Sequence, residues 1–445
     1  METFKTTNNN INYDALISLL KRTSLPLENP TDLDPLMNYI GDAKYVLLGE
    51  ASHGTHEYYT WRAKISQRLI QEKGFCFIAV EGDWPDCYRL NRFAKGYLDS
   101  GKDILNVLTE FKRWPTWMWA NWEIAAFIDW LKIYNESFPV DERIGFYGLD
   151  VYSFKESMNS IIQYLEKNDP KALAIAKTAM KCFEPYGKDE GQSYARASSF
   201  IPELCEKEII HMLTEILRNV PNYNHDLENV LSIEQNAFVT RNAEKYYRAM
   251  IRRGSTSWNI RDQHMVSTID RLMKFHGKDA KIIIWEHNTH IGDARATEMI
   301  SEGMVNVGQL LREQYATDDV VAVGFGSYKG SVIAGREWGD SMRKIKVPEA
   351  VDGSWEHAFH LASKGQNRLL LMNKVKDEKC LSSLIGHRAI GVVYNPEHER
   401  FGNYVPTILP KRYDAFIFID ETNALHPINI EVNGNQIPET YPFGM

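Results

Sequence analysis

The sequence predicts an α/β fold in which a mostly parallel central sheet is flanked by helices and carries a large all-helical insertion. Three observations lead to this prediction. Short, almost continuously apolar runs recur along the chain, segments with helical spacing separate the first of them, and a long central stretch contains helix-like patterns with few β-branched runs. Alternation of strand and helix is typical of a parallel sheet joined by helical crossovers.

The predicted strands are apolar runs that do not alternate with polar residues. A parallel strand that is covered by helices on both faces has this pattern. The runs are YVLLG at 45–49, FCFIAV at 75–80, RIGFYG at 143–148, KIIIW at 281–285, VVAVGFG at 320–326, RLLLM at 368–372, AIGVVY at 389–394 and AFIFID at 415–420.

The predicted helices fall into two groups. Segments at 56–74 and 122–136 have helical spacing and lie between the first three strands. Residues 153–276 read as a helical insertion of four or five helices, after which the sheet resumes. We therefore expect residues 1–445 to form one large α/β domain with this insertion set into it.

Composition and charge exclude several classes of protein. The chain has 445 residues, 44% of them hydrophobic and 25% charged, which is enough for a large buried core. Its formal net charge is -8 and its Lys/Arg clusters are short, so we expect no nucleic-acid partner. No apolar run approaches the roughly 18 residues of a spanning helix, so we also expect no membrane association.

Location and cysteine state follow from weaker signals. The N-terminus lacks the apolar core of a secretory signal, so a cytoplasmic location is expected. The five cysteines include no C-x-x-C pair, and their odd number favours reduced thiols over a disulfide framework.

Polar groups follow five of the predicted strands. Glu50 and His53 come after the first strand, Glu81 after the second, Asp150 after the third, and Ser327 after the fifth. The fourth strand runs into the segment EHNTH, which contains His287 and His290. The carboxyl ends of parallel strands share one edge of a sheet, where ligands bind, so we expect these groups to meet there.

Each of these residues also has a purely structural interpretation. Asp83 and Asp150 are suited to cap helix N-termini, and a single histidine near a strand end is usually structural. Arg62, nine residues after His53, would alone be read as a surface helix arginine. The grouping of Glu50, His53, Glu81, His287 and His290 at one predicted edge favours a functional site.

The residue types suit ester hydrolysis by an activated water. A histidine held by Glu50 or Glu81 is a good general base near neutral pH, which makes His53 the candidate base. His287, His290 and Arg62 would then stabilise the oxyanion, and Arg62 is also suited to neutralise a buried carboxylate. The sequence has no G-x-S-x-G elbow, P-loop or dinucleotide fingerprint.

Two alternatives remain open. Three imidazoles and two carboxylates also form a plausible ligand set for zinc or manganese, and His56 extends the first loop to H-x-x-H. We expect no obligatory cofactor, with a divalent metal as the alternative. The second alternative is a protein that binds a macrocycle or polysaccharide without turning it over.

Four sequence blocks resemble the erythromycin esterase family. They are LLGEASHGTHEYYTWRAKISQRLI, IAVEGDWPD, IGFYGLDVYSF and WEHNTHIGD, in this order between residues 47 and 293. The resemblance implies an α/β core with added helices and opening of the macrolactone ring of macrolide antibiotics by hydrolysis. It does not fix the substrate, since some family members are labelled as succinoglycan biosynthesis proteins.

The same resemblance implies a set of site residues. The G-E-x-x-H-G block places its glutamate and general base on Glu50 and His53. The remaining matches fall on Arg62, Glu81, His287 and His290. The expected partner is therefore a small molecule, a macrolide or another bulky ester.

An aromatic stretch at 111–130 is a candidate substrate wall. It contains five tryptophans, and wide apolar grooves suit macrocyclic ligands. Aromatic residues at helical spacing more often pack in a core. Trp114 and Trp117, beside Pro115, are the members we expect to be exposed and to bind substrate.

Overall fold

A nine-stranded mixed sheet forms the centre of the protein. The structure is a computed structural model that describes residues 12–186, 192–200, 204–223, 226–250, 254–376 and 378–428. Nine of the eleven strands in the described residues belong to this sheet, and β9 and β10 form a separate sheet. The strands are β1 Leu25–Pro26, β2 Tyr45–Leu48, β3 Phe77–Asp83, β4 Gly145–Asp150, β5 Ile282–Trp285, β6 Val320–Ala334, β7 Arg343–Val347, β8 Arg368–Leu371, β9 Ile385–Arg388, β10 Tyr404–Thr407 and β11 Ala415–Thr422.

Helices connect most of these strands. They are α1 Tyr13–Thr23, α2 Asp34–Ile40, α3 His56–Lys73, α4 Trp84–Ala94, α5 Ile104–Leu108, α6 Trp122–Asn135, α7 Phe154–Asn168, α8 Pro170–Phe183, α9 Gln192–Ser198, α10 Glu206–Asn219, α11 Leu227–Met250, α12 Thr256–His276, α13 Asn288–Ile291, α14 Val307–Gln314, α15 Trp355–Ser363, α16 Glu399–Gly402 and α17 Leu409–Arg412.

The sheet order is β1-β8-β11-β6-β2-β5-β3-β4, and β7 pairs with β6 outside this path. The six strands from β11 to β4 run parallel to one another. The strands β1, β7 and β8 pair antiparallel. The prediction of a mostly parallel sheet flanked by helices is confirmed.

Both faces of the sheet are buried, which explains the continuous apolar runs. Val46 and Val80 contribute to one core, where α3 and α6 pack on the sheet. Leu47 and Ala79 contribute to a second core, formed with α1, α12, α14 and α15. Because successive strand residues point to opposite faces, every position of such a strand meets a helix layer and is apolar.

The register aligns the carboxyl ends of the central strands. Leu48, at the end of β2, lies opposite Trp285 of β5 and Val323 of β6. Val80 of β3 also lies opposite Trp285, and Gly148 of β4 lies opposite Val80. The residues that follow these positions therefore emerge at the same edge, as the sequence predicts.

One strand prediction is wrong. Residues 389–394 form no strand; the nearby strand β9 ends at Arg388 and pairs only with β10 in a separate sheet. The segment is apolar because it covers the loop after β2. Ile390 donates its backbone N–H to the Ala51 carbonyl, and single bridges join Ile390 to Ser52 and Val393 to Gly335.

The described residues between β4 and β5 contain helices and no strand. Six helices, α7 to α12, occupy this interval, rather than the four or five that the sequence suggests. Most of them share a core of their own, which runs from Val151 to Ile260. The helix α12 also packs on the main sheet, because Met265 and Ile269 belong to the second core described above. The division into one domain with an insertion stays a prediction.

The prediction of five reduced cysteines is wrong for two of them. Cys182 at the end of α8 and Cys205 before α10 form a disulfide, with Cα atoms 5.8 Å apart. The fold of the helical insertion brings them together, which a separation of 23 residues does not reveal. Cys76, Cys87 and Cys380 are free. The cytoplasmic location stays a prediction. The Cys182–Cys205 disulfide is evidence against it, because disulfides are rare in reducing compartments.

Within the described ranges, no helix combines the length and the apolar character needed to cross a membrane. The N-terminal segment from which the absence of a secretory signal is inferred falls largely on residues 1–11, outside the described residues.

Candidate active site

A chain of three ionisable side chains lies beyond the end of β2. His53 Nδ1 lies 2.9 Å from Glu50 Oε1. Arg62 donates from Nη2 to the other oxygen, Glu50 Oε2, over 2.6 Å. All three residues are at most 2% exposed. Glu50 therefore joins the imidazole to the guanidinium, and it fixes the orientation of the His53 ring.

Helix α3 places the arginine behind this carboxylate. The Arg62 guanidinium carbon lies 4.4 Å from the ring centre of Tyr59 and 4.9 Å from that of Trp285. The Tyr59 hydroxyl donates to the His53 carbonyl over 3.1 Å. Enclosed by these aromatic rings, Arg62 neutralises Glu50 and does not reach a substrate.

A glycine is required where β2 gives way to the site loop. A Cβ atom on Gly49 would lie 2.1 Å from the Asn288 side-chain oxygen. That amide binds Phe325 of β6 through both its donor and its acceptor. Gly49 thus lets the segments after β2 and β5 meet beside β6, which brings Glu50 close to His287 and His290.

A second charged group surrounds Arg261 of α12. Its Nη2 donates to Glu81 Oε1 over 2.6 Å and to Asp150 Oδ2 over 2.7 Å, and its Nε donates to Asp150 Oδ1 over 3.0 Å. Its Nη1 lies 2.9 Å from His290 Nε2. The arginine therefore connects the ends of β3 and β4 with the loop after β5.

His290 holds this arginine from the opposite side. Its Nδ1 lies 2.9 Å from Asp262 Oδ1 and its ring stacks on Trp258, with ring centres 4.6 Å apart. Because Arg261 can only donate, His290 Nε2 must accept and Nδ1 carries the proton. The ring is fully buried, so His290 positions Arg261 and does not face a substrate.

His287 lies against His53 but has a different pKa. The two ring centres are 4.8 Å apart. Burial, followed by the neighbouring His53, holds the pKa of His287 well below its usual value, so the ring is neutral. The Thr289 N–H donates to His287 Nδ1 over 3.3 Å, which leaves the ring proton on Nε2.

The carboxylates set the charge state of His53. Burial lowers its pKa, but the nearby Glu81 and the hydrogen bond to Glu50 outweigh this, so the pKa lies above the usual 6.5. Burial alone would raise the pKa of Glu81, yet the Arg261 guanidinium and the hydrogen bond from the His287 N–H hold it far below its ordinary value. Glu81 is therefore ionised, and Glu50 and Glu81 together raise the basicity of His53.

Glu286 is the unusual carboxyl of the site. It is fully buried, and neither of its oxygens has a hydrogen-bond partner in the described part of the chain. Burial, followed by repulsion from Glu81 and Asp262, raises its pKa well above the ordinary value. Glu286 is thus a neutral acid next to His287.

A narrow pocket opens onto His53, with a volume of about 50 Å³. Its charged lining is acidic. Besides His53, the charged lining residues are Glu81, Asp83, Asp86, Asp150, Arg113 and Arg261. Arg113 binds Asp83 through two hydrogen bonds of 2.5 and 2.8 Å. Burial raises the pKa of Asp86 to about 7.

The prediction that Trp114 and Trp117 are the exposed tryptophans is wrong. They are 2% and 0% exposed and pack edge to face in the core, with ring centres 5.4 Å apart. Two other tryptophans, Trp119 and Trp338, line the pocket. The aromatic stretch therefore does reach the pocket, although through Phe111 and Trp119.

Reasoning from the sequence missed Arg261 and its neighbour Asp262. Trp258, Met265 and Ile269 recur at helical spacing and form the apolar face of α12. Arg261 and Asp262 occupy that same face, where charges are costly unless they are paired. Two charged residues within an apolar helical stripe were thus the signal that the sequence offered for these site residues. It was not used, because the whole segment was assigned to a helical insertion away from the site.

The fold and the site define an α/β protein with a carboxylate-bound histidine at a pocket on the carboxyl edge of its sheet. The erythromycin esterase profile matches residues 70–422, and the chain belongs to this family of hydrolases. The match begins after Glu50, His53 and Arg62, which lie upstream of it.

Two curated relatives match nearly the whole chain. Erythromycin esterase type II of Escherichia coli is 22% identical over 425 residues, which cover 90% of this chain and 94% of the relative. The putative hydrolase YbfO of Bacillus subtilis (strain 168) is 21% identical over 424 residues, which cover 90% of each.

Solved structures share the fold. A Bacillus cereus protein has a TM-score of 0.77 at 22% identity and covers 94% of this chain and 100% of its own. A succinoglycan biosynthesis protein gives 0.74 at 21% identity and covers 94% and 99%. A mutant of the erythromycin esterase EreC in its open conformation gives 0.64 at 15% identity and covers 91% and 97%.

Replacing the central arginine tests the charge network. Arg261→Met leaves Glu81 and Asp150 buried without their counterion, so we expect a loss of about 3–5 kcal/mol in the free energy of unfolding at about pH 8. Without Arg261 the pKa of Glu81 rises, and protonation relieves the cost, so the loss shrinks towards about pH 5. Urea unfolding at both pH values measures this.

The matched control is Arg68→Met, which removes an arginine paired with the exposed Asp34 and Glu72. Its expected loss is below about 1 kcal/mol and similar at both pH values. Equal losses for the two variants would show that the Arg261 network does not stabilise the fold.

Proposed function

We propose that the protein hydrolyses an ester or lactone with a water activated by His53. One observation carries this proposal: His53 is the pocket-lining imidazole, and a buried carboxylate holds its Nδ1. This is the arrangement of a general base whose tautomer is fixed. Membership of the erythromycin esterase family supports the reaction class.

The proton transfers follow from the hydrogen bonds. Glu50 accepts from the His53 Nδ1–H, so Nε2 carries the lone pair of this pocket-lining ring. Nε2 takes a proton from water while the water oxygen attacks the acyl carbon. The tetrahedral intermediate then expels the alkoxide, which recovers that proton from Nε2. Arg62 and Glu50 are positioning residues in this scheme, because Glu50 orients the base and Arg62 holds Glu50 in place.

Arg261 is the proposed oxyanion stabiliser. Arg62 and His290, two of the three groups expected from the sequence, are enclosed by other side chains, whereas Arg261 lines the pocket. Its positive charge survives burial because Asp150 and Glu81 raise its pKa well above the ordinary value. A fixed cation beside the reacting carbon favours the negative transition state over the neutral ester.

A metal-dependent reaction at this site fits the donor set poorly. The two Glu50 oxygens face His53 and Arg62, and the two Glu81 oxygens face Arg261 and the His287 N–H. His290 has both ring nitrogens engaged. A divalent ion would have to displace two arginines from their carboxylates.

The proposed substrate is a macrolide-type lactone or another bulky ester. The names of the Escherichia coli relative and of EreC support a macrolide. Pockets for ligands of this size enclose about 300–1,000 Å³, whereas the pocket beside His53 has about 50 Å³. The proposal therefore requires the pocket to widen before such a substrate enters.

Loss of the base should strongly reduce turnover. We expect His53→Ala to lower kcat by about 10²- to 10⁴-fold, the usual contribution of a general base. The measurement is a mass-spectrometric screen of macrolides and simpler bulky esters for products heavier by one water. His56→Ala is the matched control, because His56 also pairs with a carboxylate but lies outside the pocket.

Activity of His53→Ala within a few-fold of the parent protein would refute the base assignment. Binding of a macrolide without any product would instead identify the protein as a binding module.

The pH profile should report the raised pKa of His53. Since the neutral ring is the active form, we expect kcat/KM to fall with decreasing pH, with an apparent pKa above 6.5. Glu50→Gln removes a negative charge beside the ring and shifts this limb to lower pH, in addition to lowering the rate. A limb that stays in place in Glu50→Gln would contradict the pairing of Glu50 with the base.

A further inference from the structure

A second histidine–carboxylate cluster lies outside the pocket. His56 is the first residue of α3, Glu123 lies in the first turn of α6, and His426 follows β11 near the end of the described chain. Although His56 follows His53 at H-x-x-H spacing, its ring turns away from the pocket towards Glu123.

The three side chains converge on one point. His56 Nδ1 lies 2.5 Å and His426 Nδ1 lies 2.7 Å from the same oxygen, Glu123 Oε1. In the described chain these are the histidine, cysteine or acidic residues that bring three ligand atoms within 4.8 Å of one another. The two imidazole rings stand almost perpendicular, at 85°.

Burial differs in a way that suits a ligand site. The Glu123 side chain is 4% exposed, whereas the side chains of His56 and His426 are 34% and 62% exposed. The carboxylate is therefore a fixed anchor, and the two imidazoles are free to adjust. One side of the cluster faces solvent, which leaves room for water as a further ligand.

We propose that His56, Glu123 and His426 bind a divalent transition-metal ion of the zinc class. Two imidazoles and one carboxylate, with an open position, are a ligand set that zinc commonly takes. Ligand bonds of about 2.0–2.2 Å in a tetrahedral site place donor atoms about 3.3 Å apart. To bind the ion, the Nδ1 atoms of the two imidazoles must therefore move about 0.6–0.8 Å farther from Glu123 Oε1. The solvent exposure of both rings permits this movement.

The ion would connect three segments of the chain. Thr55 pairs with Ala424, and Asn121 pairs with Pro427, through single bridges. The Trp122 N–H donates to the His426 carbonyl over 3.0 Å. A metal at this point ties the C-terminal segment to the starts of α3 and α6, and α3 begins directly after the loop that carries His53. We therefore expect metal binding to stabilise the fold.

The test is zinc binding by the untagged, full-length protein after treatment with a chelator. Calorimetric titration with Zn²⁺ should show one equivalent bound, and the thermal unfolding midpoint should rise when the ion is present. We expect His426→Ala to lose affinity by more than about 100-fold, the upper end of the loss caused by removing an outer-shell partner. The exposed position of His426 makes misfolding of this variant a minor concern, and circular dichroism checks it.

His53→Ala is the control for binding at the pocket. It should bind Zn²⁺ as the parent protein does. Equal affinity of the parent protein and His426→Ala, no binding by the parent protein at micromolar Zn²⁺, or loss of binding in His53→Ala would each overturn the proposal.

Discussion

The pairing of buried carboxylates with cations is the constraint on which this structure depends. Glu50 and Glu81 lie at the carboxyl edge of the sheet with at most 4% of their surface exposed. A buried carboxylate that loses its partner costs about 3–5 kcal/mol. Arg62 is the cationic partner of Glu50, and Arg261 is the cationic partner of Glu81. The two arginines come from helices on opposite faces of the sheet. Their ion pairs with the site carboxylates therefore also hold both helix layers against the sheet.

The same pairing divides the histidines into different roles. His53 and His287 are in ring contact, yet the carboxylates raise the pKa of His53 while burial and His53 itself lower that of His287. Neighbouring groups whose pKa values are pushed apart are typical of acid–base sites. In the proposed mechanism His53 exchanges protons, His287 remains neutral beside it, and His290 holds Arg261.

The sequence predicted the central strands because each is buried on both faces and thus continuously apolar. It also predicted the meeting of Glu50, His53, Glu81, His287 and His290, since strand ends share an edge. It failed where contacts depend on distant packing. Arg261 reaches the site from α12, which was assigned to the insertion, and Cys182 meets Cys205 only through the fold of that insertion. Exposure of Trp114 and Trp117 depends on which faces the core covers, which composition does not specify.

The proposed mechanism makes water the nucleophile and gives the carboxylates only supporting roles. The most direct measurement is a single turnover in water labelled with the heavy oxygen isotope, followed by mass spectrometry of both product and protein. We predict that the label appears in the carboxylate of the product and that the protein gains none. Label in Glu50 or Glu81, with an unlabelled product acid, would show that a carboxylate attacks the ester and would contradict His53 as the base that activates water.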